Sequence, residues 1–188
     1  MVQALAPKID RGELQLYCVD TLDQESWYSR GSQPADRLHR QNAYDAYLAL
    51  ELTPFVRNRS HVGQFGATGC SSGGYHAMNF ALRHPDLVNY SVSMSGAFDI
   101  PKRFLGDFYN EDAYFHSPLD YLSNQNETGV FRNNYYVLAV GENDPLLEQN
   151  VKLADHLGAK QIPHMLDIWA GFGHDWSWWQ SMASKFFL

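Results

Sequence analysis

An α/β fold, a mostly parallel central sheet with helices on both faces, is predicted by three observations. Short apolar runs alternate with helix-spaced segments along the chain, and such alternation builds a parallel sheet whose crossovers cover both faces. A G-x-S-x-G pentapeptide, Gly69-Cys70-Ser71-Ser72-Gly73, stands between one such run and one such helix. Two further strand-like runs end in polar and glycine-rich loops, the place where sheets of this kind carry active residues. With 188 residues, 45% of them hydrophobic and 14% aromatic, the chain has a substantial core, and 1–188 reads as a single domain.

Taken in order, 1–9 reads as a helix end followed by a turn at Asp10-Arg11-Gly12. The run LQLYCV at 14–19 reads as a buried strand. Residues 20–41 are polar and turn-rich and read as a long loop holding Trp27 and Tyr28; long loops within compact domains are uncommon and often functional. Apolar residues on a helical spacing fill 43–56, with Pro54 near the end. Residues 64–68 are short, small and partly apolar, as a buried central strand can be, and 74–84 reads as a helix with Pro85 just past its end. A strand over 87–94 ends at Ser95-Gly96. Segment 97–128 is expected to be irregular, and its aromatic composition suits a cap or pocket wall. A strand at 134–140, a helix at 145–157, a last strand at 165–169 and an aromatic-rich helix at 175–188 complete the chain.

Strand, G-x-S-x-G, helix is the context of the nucleophile elbow in α/β-hydrolases. A sharp turn lifts the serine Oγ clear of the sheet, and glycines two residues to either side let strand and helix approach without Cβ clashes. The new helix points free N–H groups and its positive end at a developing oxyanion. The pentapeptide alone equally describes a Gly/Ser-rich turn; its flanking elements make Ser71 a candidate nucleophile. After the run YYVLAV comes Gly141-Glu142-Asn143-Asp144-Pro145. A carboxylate there can orient a histidine, although Asp144, just ahead of a helix, also suits a cap; Glu142 is the alternative acid. After MLDIW comes Ala170-Gly171-Phe172-Gly173-His174, placing His174 where a general base belongs. The order Ser71, Asp144, His174 is that of α/β-hydrolases and differs from the chymotrypsin and subtilisin orders. His76, within a turn or so of the serine, reads as a packing or pocket-lining residue, and His39 lies in the polar loop. No H-x-x-x-H or C-x-x-C spacing points to zinc. The tryptophans of Trp176-Ser177-Trp178-Trp179 read as a helix packed onto the sheet rather than a carbohydrate platform.

A net charge of −7 argues against sequence-independent nucleic-acid binding. No apolar run approaches the length of a membrane span, and the first residues lack a basic-then-apolar signal layout. Two cysteines, Cys18 and Cys70, make no disulfide framework and read as buried thiols. These features suit a cytoplasmic protein, and no cofactor or metal is implied.

The blocks LQLYCVDTLDQESWY, TGCSSGGYHAMNFALRHPD, VGENDPLLEQN and WAGFGHDWSWW, in that order from about Leu14 to Trp179, resemble the putative-esterase family of α/β-hydrolases. That family includes esterase D-like enzymes, feruloyl-type esterases and mycolyltransferases. The resemblance implies an α/β-hydrolase-like fold with Ser71 as nucleophile, Asp144 as acid and His174 as base. It matches Ser72 to the residue whose N–H forms half of the oxyanion hole, and the block Glu25 to Tyr28 to a loop bordering the site. Glu25, Trp27 and Tyr28 of that block, with Cys70 in the elbow and His76 just beyond the serine, are the pocket candidates. Family members carry further strands ahead of the block that matches Leu14, so the fold is expected to be N-terminally shortened. The second oxyanion donor would then be missing and a sheet edge bare, which favours a homodimer. The expected function is a serine hydrolase cleaving small-molecule carboxylic esters through an acyl-enzyme. An acyltransferase on the same acyl-enzyme, or a non-catalytic binding protein of this fold, are the alternatives.

Overall fold

A computed structural model describes residues 1–60 and 65–187. Four strands, β1 (Gly66–Cys70), β2 (Tyr90–Met94), β3 (Tyr135–Gly141) and β4 (His164–Trp169), form one sheet in the order β1-β2-β3-β4. All three pairings are parallel, with Cys70 opposite Met94, Met94 opposite Ala139 and Gly141 opposite Trp169. This register brings the carboxyl ends of all four strands to one edge, so the segments that follow them emerge side by side.

The sheet separates two apolar cores. On one face Tyr136 and Leu138 of β3 pack with Met78, Ala81 and Leu82 of α4 (Ser72–Arg83) and with Leu153 and Leu157 of α8 (Leu147–Ala159). On the other, Val92, Met94, Val137 and Ala139 meet Leu5 of α1 (Val2–Asp10) and Trp179, Met182 and Ala183 of α9 (Trp176–Phe186). Strands β2 and β3 are buried almost throughout, as central strands covered on both faces are. Small residues let α4 sit close to β2: a Cβ at Gly74 would lie 2.8 Å from Ser93 Oγ, and one at Gly96 would also collide with it. No described helix is long and apolar enough to cross a membrane.

Two sequence expectations are corrected. The alternating run at 14–19 forms no strand. A strand exists only where its N–H and C=O groups pair with a neighbour, and among the described residues 14–19 pairs with neither edge strand, β1 or β4. The run still uses its alternation, laying Leu14 and Leu16 against the second core while Gln15 is exposed. Cys18 at its end is exposed and not a buried thiol. The segment 97–128 is likewise not irregular. It carries α5 (Ile100–Leu105), α6 (Glu111–Phe115) and α7 (Pro118–Asn124), each contributing to the first core through Ile100 and Leu105, Ala113 and Leu122.

Smaller shifts of boundary have local causes. The polar loop ends earlier than expected, because Pro34 begins α2 (Pro34–Tyr47) at a position where proline's missing N–H costs nothing. Helix α2 continues through a wider π-type turn at Leu48–Leu52 into α3 (Thr53–Arg59). The first described strand begins at Gly66; Gln64, where the expected strand begins, and His61 lie outside the described residues. Arg37 on α2 donates to the carbonyls of Ser29 (2.8 Å) and Phe104 (2.7 Å), tying the 20–33 loop to α5.

Candidate active site

Ser71 sits at the junction of β1 and α4 with φ 54° and ψ −118°. Non-glycine residues avoid such backbone angles, at a cost of about 1–3 kcal/mol, so the surroundings must hold it there. They do so with three main-chain bonds. Ser71 N–H donates to Met94 O (2.9 Å), and Ser71 O accepts from Tyr75 N–H (3.0 Å) and Ala97 N–H (3.2 Å). Gly69 completes the turn, since a Cβ there would run into the Gly73 main chain. Ser72 is the first residue of α4, and the first amides of a helix have no intrahelical acceptor. Its N–H is therefore available to an incoming negative charge, supported by the helix's positive end.

The loops that carry the candidate acid and the candidate base are built on the ends of β3 and β4. Gly141 closes β3, and a Cβ there would collide with the Phe172 carbonyl. The approach is used for bonding: Asn143 N–H donates to Phe172 O (2.8 Å) and Glu142 N–H to Trp169 O (2.9 Å). The exposed Glu142 carboxylate accepts from Gly171 N–H (3.1 Å), bracing the base loop from outside.

On this frame three sequence-predicted residues meet. Ser71 Oγ lies 3.1 Å from His174 Nε2, and His174 Nδ1 lies 3.1 and 3.0 Å from the two Asp144 carboxylate oxygens. With Nδ1–H donating to Asp144, Nε2 carries the free lone pair that accepts the serine hydroxyl proton. The Asp144 side chain is fully buried and His174 about 29% exposed, so the imidazole is partly open to solvent while its carboxylate partner is not. Asp144 is not the N-cap of α8, a place taken by Leu146; its Oδ1 accepts from Leu146 N–H (2.8 Å) within the turn ahead of the helix. Glu142 takes no part in the contact with His174.

The pocket candidates distribute differently. Trp27 is fully buried in the first core, perpendicular to Tyr75 and His116, and lines no open pocket; its size makes it core. Glu25 is exposed and pairs with Arg40 at 3.1 Å. Tyr28 is partly exposed against Phe104. Cys70, the last residue of β1, is half-buried, and burial pushes its thiol up to about 11. His76 is buried and spends its Nε2–H on Asp23 Oδ1 at 2.7 Å. That pair spans 53 residues and no spacing rule announces it.

One neighbour of the base was not anticipated as such. The Trp179 ring stands perpendicular to His174 with centroids 4.8 Å apart. The helix was legible, but the contact depends on how sharply the chain turns after His174.

A parallel sheet with a strained serine at a strand–helix junction, a histidine and a carboxylate on the next loops, defines the α/β-hydrolase class. Within that class the chain belongs to the Putative esterase family, whose sequence model matches residues 8–184. Solved structures agree on the fold. A ferulic acid esterase superposes with a TM-score of 0.64 at 22% identity, over 77% of this chain and 58% of that one. An S-formylglutathione hydrolase from Staphylococcus aureus gives 0.60 at 21%, over 80% and 61%. Another from Agrobacterium tumefaciens gives 0.63 at 15%, over 85% and 59%. The chain thus spans about three-fifths of the length of these proteins. No curated protein matches the sequence.

Proposed function

We propose that this protein is a serine hydrolase that cleaves carboxylic esters of small molecules through an acyl-enzyme on Ser71. The observation that carries this reading is the unbroken hydrogen-bonded line from Ser71 Oγ through His174 to the buried Asp144 carboxylate. Family membership and an exposed imidazole beside the serine support it.

In the first step His174 Nε2 takes the Ser71 proton as Oγ bonds to the acyl carbon. The carbonyl π electrons move to its oxygen, and the Ser72 N–H at the start of α4 stabilises the charge. The tetrahedral species collapses, the ester C–O bond breaks, and the leaving alcohol receives the proton from His174. Asp144 keeps the imidazole in the tautomer that can do this and stabilises its transient positive charge. Water, deprotonated by the same Nε2, then attacks the acyl carbon; the bond from the acyl carbon to Ser71 Oγ breaks, the carboxylic acid leaves, and His174 returns the proton to Oγ.

Intact mass after treatment with a fluorophosphonate probe tests the reading. One adduct per chain is expected, absent in Ser71→Ala, together with hydrolysis of p-nitrophenyl acetate by the unmodified protein. A folded protein that takes no adduct overturns it. Adding an acceptor alcohol to the hydrolysis assay separates release to water from acyl transfer, because transfer yields a new ester.

A further inference from the structure

The Asp144 carboxylate holds only one edge of the His174 ring. An imidazole tethered through Nδ1 alone can still swing about that bond and carry Nε2 away from Ser71. The structure supplies a second restraint. Trp179, on α9 one turn beyond the base loop, stands at 90° to the imidazole with centroids 4.8 Å apart, a separation typical of aromatic edge-to-face contact. Trp179 is itself immobilised. It is only 6% exposed within the second core, and its Nε1–H donates to the Ser95 hydroxyl at 2.9 Å.

Ser95 is an unusual anchor. It follows β2 directly, is fully buried, and has φ 53°, a conformation that L-residues other than Asn and Asp adopt rarely. Its N–H donates to Ala139 O in β3 (2.8 Å), which continues the ladder past the end of β2 and holds Oγ in place. A packed path therefore runs from the two central strands through Ser95 and Trp179 to the ring of His174.

We infer that Trp179, pinned by Ser95, is a positioning residue that keeps His174 Nε2 aimed at Ser71; this rests on the hydrolase reading above. The contact restrains the ring's plane and Asp144 its tautomer, so the two restraints divide the work. Misplacement by about 1 Å can cost a hundredfold in rate, so even modest loosening of this path is visible in turnover.

Three variants test it. Trp179→Phe keeps an aromatic ring and loses the bond to Ser95. Ser95→Gly loses the same bond while suiting the backbone angle, which guards against misfolding. The third combines them. With p-nitrophenyl acetate, kcat is expected to fall about tenfold in each single variant with KM changed less than twofold. Because both remove one bond, the double variant should be no worse than the singles, the non-additivity of residues acting as a unit. The accompanying readout is the downfield proton NMR signal of His174 Nδ1–H, sharp in the unmodified protein and broadened in all three variants. A lowered melting temperature with unchanged kcat and an unchanged signal would overturn the inference, as would additive losses. Failure of the unmodified protein to take the fluorophosphonate would remove the hydrolase reading instead, and the NMR comparison would still decide whether Trp179 orders the ring.

Discussion

Of the histidine–aspartate pairs among the described residues, two have the same chemistry and opposite surroundings. In His76–Asp23 the side chains are 7% and 9% exposed, Nε2–H is spent on the aspartate at 2.7 Å, and Nδ1 faces the Gln41 amide at 3.4 Å. Both ring nitrogens are occupied by partners from the fold. In His174–Asp144 only Nδ1 is occupied, and Nε2 looks out past a serine at a ring about 29% exposed. The bond to the carboxylate does not distinguish a base from a brace. What distinguishes them is whether the second nitrogen is left for something that can react. The first pair joins the 20–33 loop to α4 beneath the elbow; the second lies on loops at the sheet's carboxyl edge.

The comparison can be broken most severely at the exposed pair. His174→Ala is expected to lower kcat for p-nitrophenyl acetate by about 10⁵-fold with a melting temperature close to that of the parent. His76→Ala should do the reverse. It strands a buried Asp23 acceptor at a cost of about 1–3 kcal/mol in denaturant unfolding, while turnover per folded molecule stays within a few-fold. Equal losses of turnover in the two variants would show that burial does not separate the roles.

A third imidazole sharpens the point by titration. Burial, with the Arg83 guanidinium alongside, pushes His116 down to about 3, so it is neutral in the folded protein and donates Nε2–H to Asn42 Oδ1 at 2.7 Å. Between that value and its ordinary 6.5 the unfolded chain binds the extra proton and the folded chain does not. Its contribution to stability is therefore complete above pH 6.5 and is lost as the pH falls below it, by about 2 kcal/mol at pH 5. Unfolding curves at pH 7 and pH 5 measure this, and His116→Gln should flatten the difference. The smallest effect belongs to Glu142→Gln. The exposed side chain only braces Gly171, and kcat is expected to change by no more than about twofold; a large drop would reopen the choice of acid.

The legibility of the sequence follows the same division. Ser71, Asp144 and His174 could be found because each is announced locally: a glycine-framed turn, and two loops that follow apolar runs. The existence of β2, β3 and β4 was similarly plain from apolar runs alternating with helix-spaced segments, although their order in the sheet was not. What depended on distant partners was not. The run at 14–19 has a strand's pattern and pairs with no described strand. Trp27, placed by its block beside the site, was claimed by the core because a ring of that size buries more favourably than it hydrates. The Asp23–His76 and Trp179–His174 contacts arise only once the chain has closed on itself.

The absence of a side chain at Gly141 has one more consequence. Because the Phe172 carbonyl occupies the place a Cβ would take, and Asn143 and Glu142 bond across to the same loop, the acid and base segments behave as a single casting. Neither tolerates an inserted residue without displacing the other, which closes both to variation in length.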